Sequence, residues 1–414
     1  MMRPLTEMQA EVLDSVPLLD EIDVGLADSI GAVLSRDVDA PDDLPGFENA
    51  AMDGFAVLAA DTVNSPVDLD VVDDVAAGAV PLVTLTSGAA TRIMTGAPIP
   101  TGADAIVPVE ATETSQDDRV WILEEALIGD HIRPAGGNVQ AGVRIFNAGL
   151  RLGPTHVSVL ASMGVRPRVR RRPVVAMMST GNELVPPSTP ALARGEVRDS
   201  NRTLMEGLLV DLGVEVRDYG IIADDAGAFE TAIEEAIESA DAIVTSGGVS
   251  MGAYDIVKLA LRERGGVGFW KIAMQPGKPF GFGTVGGVPF FGLPGNPVSV
   301  FVSFEQFMRP ALLSMMGAER LFRDRVEGIL DDGADTNPDK TVFLRVATER
   351  DGDGRWHARK SGGQSSNVLS ALAFADALAV VPVGTGHVEP GGTVDLEMIH
   401  WPEVRSRREV LGDR

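Results

Sequence analysis

The stretch 174–183 reads VVAMMSTGNE, an apolar run that breaks abruptly into Ser179, Thr180, Gly181, Asn182 and Glu183. A short continuous apolar run closed by turn-forming residues is what a strand buried on both faces of a parallel sheet requires. The pattern recurs twice, at 242–250 (AIVTSGGVS) and at 288–297 (VPFFGLPGNP). Helical periods separate the runs: one segment carries Leu204, Leu208, Leu209 and Leu212, a second Phe229, Ile233 and Ile237, and a third is expected from about Tyr254 to Arg264. Val214 to Tyr219 and Phe280 to Gly283 supply further strands, and a long apolar helix is expected from Val298 to about Met316. Strands alternating with helices imply βαβ units and a doubly wound α/β fold. Trp270, the methionines and the Phe301, Phe304, Phe307 stripe read as its core.

Outward from this unit the character changes on both sides. Ahead of it, the basic run Arg166 to Arg172, broken by Pro167 and closed by Pro173, reads as a charged linker. From Pro41 to about Glu110 the chain is rich in Gly, Pro, Thr and Val, with short runs such as Ala105 to Val109. These predict a small β domain, continued by Val120 to Leu123 and Val143 to Phe146. Residues 5–36 are expected to form helices, with Val12, Val16, Leu19 and Ile22 on one stripe and Leu26, Ile30, Val33 and Leu34 on another. Beyond Ala318, Val342 to Ala347, the Asp351–Gly354 turn and Ala377 to Val383 predict a second β region. At 414 residues the chain is too long for one ordinary core. The expected division is 1–44 with 139–170, a small β domain at 45–138, the α/β domain at 171–318 and a β-barrel-like domain at 319–414.

Composition narrows the chemistry. With no cysteine, the chain has no disulfide, thiolate metal site or cysteine nucleophile. Its formal charge of −25, from 35 basic and 60 acidic residues, argues against nucleic acid and anionic membranes as partners. Lysine occurs only at 258, 271, 278, 340 and 360, and acid excess with lysine scarcity reads as adaptation to a salt-rich cytoplasm rather than an ordinary acidic protein. The N-terminus lacks an apolar signal region and no stretch suits a membrane span, so a cytoplasmic protein is expected. The five histidines show no metal-ligand spacing.

In a doubly wound sheet, ligands bind beyond the carboxyl ends of the strands. Three such ends carry Gly-rich polar loops: Ser179–Glu183, Ser246-Gly247-Gly248-Val249-Ser250, and Leu293-Pro294-Gly295-Asn296-Pro297. Glycines let successive N–H groups converge on one anion, and Asn296 with Pro297 reads as a helix N-cap and N1 pair. Glu183, Asp199, Asp224, Asp225 and Asp255 accompany these loops, and a polyanionic ligand beside them calls for a divalent cation such as Mg²⁺. Lys271 and Lys278, two of the five lysines, fall within eight positions, which suits an oxyanion.

At this point the chain resembles the molybdopterin molybdenumtransferase family, represented by bacterial MoeA and the E domain of gephyrin. The segments carrying the resemblance are Leu44–Val57, Met94–Pro100, Ser179–Leu184, Asp199–Arg202, Ser246–Asp255, Pro276–Phe280, Gly292–Ser299 and Gly363–Ser366, in family order. The resemblance implies an elongated subunit in a homodimer. It implies hydrolysis of adenylyl-molybdopterin with release of AMP, and insertion of molybdate or tungstate into the dithiolene, with Mg²⁺ present. By resemblance, Asp53 and Glu183 are the catalytic carboxylates and Mg²⁺ ligands, Thr95 partners Asp53, and Asp255 and Asp224 are cleft acids. Ser246, Gly247, Gly248, Ser250, Lys271, Lys278, Pro279, Pro294, Asn296, Pro297, Arg345 and Ser366 are the expected substrate-binding residues. A transient contact with the adenylyltransferase that makes the substrate is a further expected partnership. Two positions depart from the pattern: Asn138 stands where many relatives have a carboxylate, and Gln275 where many have lysine. The alternatives are a molybdopterin adenylyltransferase, which the flanking β domains disfavour, and a non-catalytic molybdopterin-binding carrier or scaffold.

Overall fold

A computed structural model describes residues 2–114, 118–248, 261, 266–402 and 407. The chain forms two compact units, one of Met1–Arg36, Ala148–Gly153 and Arg168–Arg414, the other of Asp37–Asn147 and Pro154–Pro167. Among the described residues no helix is long and apolar enough to cross a membrane.

The larger unit is built around a six-stranded sheet. Its strands are β1 (Val174–Thr180), β2 (Glu215–Ile222), β3 (Ala242–Ser246), β4 (Val267–Lys271), β5 (Pro279–Val285) and β6 (Val288–Leu293). Their order is β2-β1-β3-β6-β5-β4, parallel across the first four and antiparallel at the β6–β5 and β5–β4 edge. The strand of 174–180 is buried on both faces because its residues alternate between two cores. Val175 and Met177 pack with helices α1 (Ser200–Leu212) and α3 (Pro297–Ser303), whereas Ala176 and Met178 pack with α2 (Ala226–Ser239) through Phe229 and Ile233. Asp199 and Asp225 cap α1 and α2 by accepting the backbone N–H groups of Arg202 and Ala228, and Gly213 closes α1 in the left-handed region. The helix expected from about Tyr254 to Arg264 falls almost wholly outside the described residues, as do Ser250 and Asp255; Leu261 is buried in the α2 core.

The long apolar helix is three pieces, α3, a π turn at Phe304–Met308 and α4 (Arg309–Met315). Pro310 cannot donate to the carbonyl four residues back. That oxygen, on Gln306, accepts instead from Gln9 Nε2 at 3.2 Å, which ties in the N-terminal helix Leu5–Ser15. A second six-stranded sheet follows, in the order Met274–Gln275, Thr341–Arg350, Trp356–Lys360, Arg325–Leu330, Gly392–Met398 and Ala377–Val381.

Three expectations need correction. The helical period does not extend through 5–36: Pro17 stops it, Glu21–Asp23 and Val33–Leu34 are strands, and only a short 3₁₀ turn at Ala27–Ser29 lies between. The basic run is no linker, since Arg168–Arg170 is the central strand between those two. Its arginines are there to meet acids: Arg168 Nε donates to Asp23 at 2.9 Å, and Arg171 forks onto Asp241 with two bonds of 2.6 Å. Trp270 is not core either; it lies on the edge strand, partly exposed, with the Arg3 guanidinium 4.8 Å above its ring.

The smaller unit is a six-stranded sheet in the order Ala105–Pro108, Gly54–Val57, Ala89–Ile93, Val67–Val75, Arg119–Ile122 and Thr112–Thr114, with the helix Pro154–Ser162. Both faces of Gly54–Val57 are covered, Phe55 and Val57 in one cluster and Ala56 in another.

Candidate active site

In the larger unit, β1, β3 and β6 end at one level. Ser179 pairs with Ser246, and Ser246 with Leu293. The chain moves to β2 on one side of β1 and then back to β3 on the other, so the loops after β1 and β3 flank a topological switch point. Gly247 holds φ +87°, and a Cβ there would sit 2.6 Å from the Thr180 carbonyl oxygen, so only glycine lets the two loops approach this closely. Gly248 is also left-handed, at φ +69°. Buried Asn201 stitches the edge together, its Nδ2 donating to Ser246 Oγ at 2.9 Å and to the Gly295 carbonyl at 2.7 Å. Asn182 and Asp224 bond reciprocally, each backbone N–H to the other side chain, at 3.2 and 3.1 Å. Glu183 is exposed, its carboxylate turned back over Gly181.

Beside this edge lies a cavity of about 540 Å³ whose lining includes Gln275, Lys278, Pro279, Asn296, Ser299 and Ser366. Pro294 and Lys340 also line it. None of its lining residues is Asp or Glu, although the chain has 60 acids, and two of the five lysines face it. Asn296 stands at the N-cap position before Pro297, but its side chain does not cap the helix; Nδ2 donates to Ser366 Oγ at 3.1 Å, and Val298 N donates to the Ser366 carbonyl at 3.2 Å. The loop 363–366 is thereby fixed to the end of β6.

Behind that loop sits Arg345, 1% exposed. Its Nη2 donates to the carbonyls of Gly363 at 3.2 Å and Ser365 at 3.4 Å, and Nη1 to Phe343 at 3.3 Å. Gln364 clasps its backbone in both directions, accepting from Arg345 N at 2.9 Å and donating to its carbonyl at 3.1 Å. Nε has no hydrogen-bond partner among the described residues, and burial lowers the guanidinium pKa to about 10. Among the described residues this buried cation has no carboxylate partner, and its charge is met by those three carbonyls. Lys271 is exposed on β4, pairs with Pro279 and is not part of the cavity wall.

In the smaller unit, Asp53 sits just before the strand Gly54–Val57, and Thr95 just after Ala89–Ile93. Asp53 Oδ1 accepts both the backbone N–H and the hydroxyl of Thr95, each at 2.7 Å. These bonds, the backbone one first, hold the carboxyl below its ordinary value, so it stays ionised with its other oxygen unclaimed by Thr95. Asn138 is exposed in the Gly-rich loop, its backbone N–H bonded to the Leu44 carbonyl.

Sequence reasoning missed Asn201 as a tether, Ser299 and Lys340 as cavity residues, and Gln364 as the clasp on Arg345. Lysine scarcity, which singled out Lys271 and Lys278, was the signal that could have found Lys340.

A doubly wound unit with glycine loops at its switch point and a carboxylate-free, lysine-lined cavity beside them defines a protein built to receive phosphate- or oxyanion-bearing molecules. Three family models match in order: the MoeA N-terminal region (domain I and II) at residues 3–164, a probable molybdopterin binding domain at 176–314, and the MoeA C-terminal region (domain IV) at 327–399. Molybdopterin molybdenumtransferase 2 of Mycobacterium tuberculosis is 40% identical over 405 residues, covering 94% of this chain and 98% of the relative. Molybdopterin molybdenumtransferase of Haemophilus influenzae is 34% identical, covering 96% and 98%. The crystal structure of the molybdopterin biosynthesis moeA protein from Pyrococcus horikoshii OT3 superposes with a TM-score of 0.82 at 28% identity, covering 96% of this chain and all of that one. The chain belongs to the molybdopterin molybdenumtransferase family.

Proposed function

We propose that this protein is a molybdenum insertase of molybdenum cofactor biosynthesis, taking adenylyl-molybdopterin, releasing AMP by hydrolysis and placing the metal of molybdate, or tungstate, on the dithiolene. The observation that carries this reading is the cavity wall: two lysines, three serines and no carboxylate in a chain of net charge −25. Such a wall would repel a cation and suits a tetrahedral oxyanion, with Lys278 as the point charge, Ser299 and Ser366 as hydroxyl donors and Arg345 as the residue that holds the Ser366 loop from behind. Lys271 lies outside that wall and is assigned no contact. The switch-point loops, with Ser246, Gly247, Gly248 and, by resemblance, Ser250, are the proposed seat of the pterin and its phosphate. Pro279, Pro294 and Pro297 contribute shape.

Hydrolysis breaks one P–O bond of the phosphoanhydride: water supplies the oxygen to one phosphorus, and AMP and the pterin phosphate carry the resulting charges. Asp53, held ionised by Thr95, is proposed as a catalytic carboxylate of the smaller unit, and Glu183, Asp224 and Asp255 as functional acids of the larger one; the water's proton leaves to a carboxylate or to solvent. Among the described residues no three His, Asp or Glu converge into a preformed metal cage. Exposed single carboxylates fit Mg²⁺ all the same, because this ion keeps several waters and takes one or two carboxylates plus substrate phosphates. Glu183 and Asp53 are the proposed Mg²⁺ carboxylates, each in its own unit, and the ion when bound neutralises charge on the phosphate oxygens. A homodimer, a cytoplasmic location, the four-part division at 44, 138, 170 and 318, and a transient contact with the adenylyltransferase belong to the same reading.

The test is AMP release from adenylyl-molybdopterin in high KCl with Mg²⁺, with and without each oxyanion. Release that depends on molybdate or tungstate supports the reading and names the metal. Tight pterin binding without release would move the assignment to a carrier, with Asn138 as the position to restore to Asp.

A further inference from the structure

Lys340 lines the same cavity as Lys278, and it does not stand alone. Its Nζ donates to Gln275 Oε1 at 3.2 Å. An ammonium can only donate, so this contact fixes which end of the amide is which: Oε1 faces the lysine and the two N–H donors of Gln275 face away from it. The geometry is held by backbone, not chance. The strand Met274–Gln275 pairs in parallel with Thr341–Arg350, Met274 beside Thr341 and Gln275 beside Val342, and Thr341 N donates to the Ala273 carbonyl at 2.9 Å. Lys340 N in turn bonds to the Asn337 carbonyl. Lys340 is half-buried, Gln275 is exposed, and neither makes an ion pair among the described residues.

We propose that Lys340 and Gln275 form a charged donor pair that sets the cavity's preference for a doubly charged tetrahedral anion. Lys340 supplies the second positive charge and, through Gln275, directs two further N–H donors along the same wall. This inference rests on the oxyanion reading above and deepens it by naming a specificity-determining pair. The shared ligand chemistry is a tetrahedral dianion, whose two sources are a free oxyanion such as molybdate and the phosphate of the pterin substrate.

The test is calorimetric binding of molybdate, of perrhenate as a singly charged tetrahedral comparator, and of inorganic phosphate, to the full chain in high KCl. Lys340→Met should weaken molybdate about tenfold and perrhenate much less, Lys340→Arg should retain most of the wild-type affinity, and Gln275→Glu should match Lys340→Met by neutralising the lysine. A melting curve of each variant establishes folding. A loss confined to phosphate upholds the pair and assigns it to the substrate's phosphate. Wild-type protein that binds neither dianion sinks the oxyanion reading itself. Wild-type binding in which Lys340→Met leaves the affinities for molybdate and for phosphate both unchanged relative to perrhenate overturns the Lys340 inference while leaving that reading in place.

Discussion

Arg345 shows how a single residue can serve a site from outside its wall. Resemblance marks Arg345 as a binding residue, but the run TVFLRVATER does not say where its side chain goes, and an arginine on a strand ordinarily faces solvent. The fold does the reverse, burying the guanidinium to 1% exposure and using it to gather the carbonyls of Gly363 and Ser365. Those two bonds, at about 1 kcal/mol each, hold the loop that carries Ser365 and Ser366. Arg345→Met should therefore speed amide hydrogen exchange across 362–366 at least about tenfold while leaving the neighbouring Leu344 and Val346 protected. Arg345→Lys should not restore it, since a single ammonium lacks the planar fork. Unchanged exchange in the methionine variant would show that the loop is held by Asn296 and Gln364 alone. Gly247 was legible by contrast, as a glycine at a strand end. That it is needed for close approach to Thr180 emerges only from the paired strands.

At the scale of elements, the α/β alternation was readable because buried parallel strands leave continuous apolar runs, as at 174–180 and 288–293. The errors came where charge stood in for structure. Arg168–Arg170 looked like a linker because a half-exposed strand of arginines is indistinguishable, one-dimensionally, from a solvated connector until Glu21 and Asp23 appear across from it. The strand Trp356–Lys360 uses the same device with a titratable group. His357 Nδ1 lies 2.7 Å from Asp331 and Nε2 3.3 Å from Asp351, and the hydrogen bond to Asp331 above all raises its pKa from the ordinary 6.5. A raised folded-state pKa stabilises below the unfolded value and fades as pH climbs through the folded one. Asp331 is held below its ordinary value, by His357 first, and Asp351 is held down to about 2, by the backbone N–H of Arg355 first, so both acids remain charged partners throughout the histidine's titration. Calorimetric melting of wild type and His357→Gln should therefore differ most near about pH 5.5, below the ordinary histidine value, and converge above about pH 8, once the pH has climbed through the raised one. A gap that is the same at both pH values would mean that His357 contributes packing and not charge.

Across the whole molecule, the balance of charge works in two directions at once. A net −25 makes the surface repel itself, which weakens the compact state in dilute buffer, while the cavity keeps its wall free of acids, as the proposed oxyanion seat requires. Salt acts differently on the two. At molar KCl the Debye length shrinks to about 3 Å, so repulsion among exposed carboxylates is largely removed, whereas the short contacts of a half-buried Lys340 or a buried Arg345 are screened much less. Surface pairs such as Arg355 with Asp351 and Asp353 contribute little in either condition. The melting temperature should therefore rise as KCl is raised from about 0.1 M to molar concentrations, and molybdate affinity should fall far less steeply than a surface-bound anion's would over the same range. Adding KCl and NaCl in parallel separates screening from a specific ion effect, since screening depends on ionic strength alone. A melting temperature flat across that range would mean that the acid surplus is carried without strain on the fold, and that lysine scarcity needs an explanation other than salt.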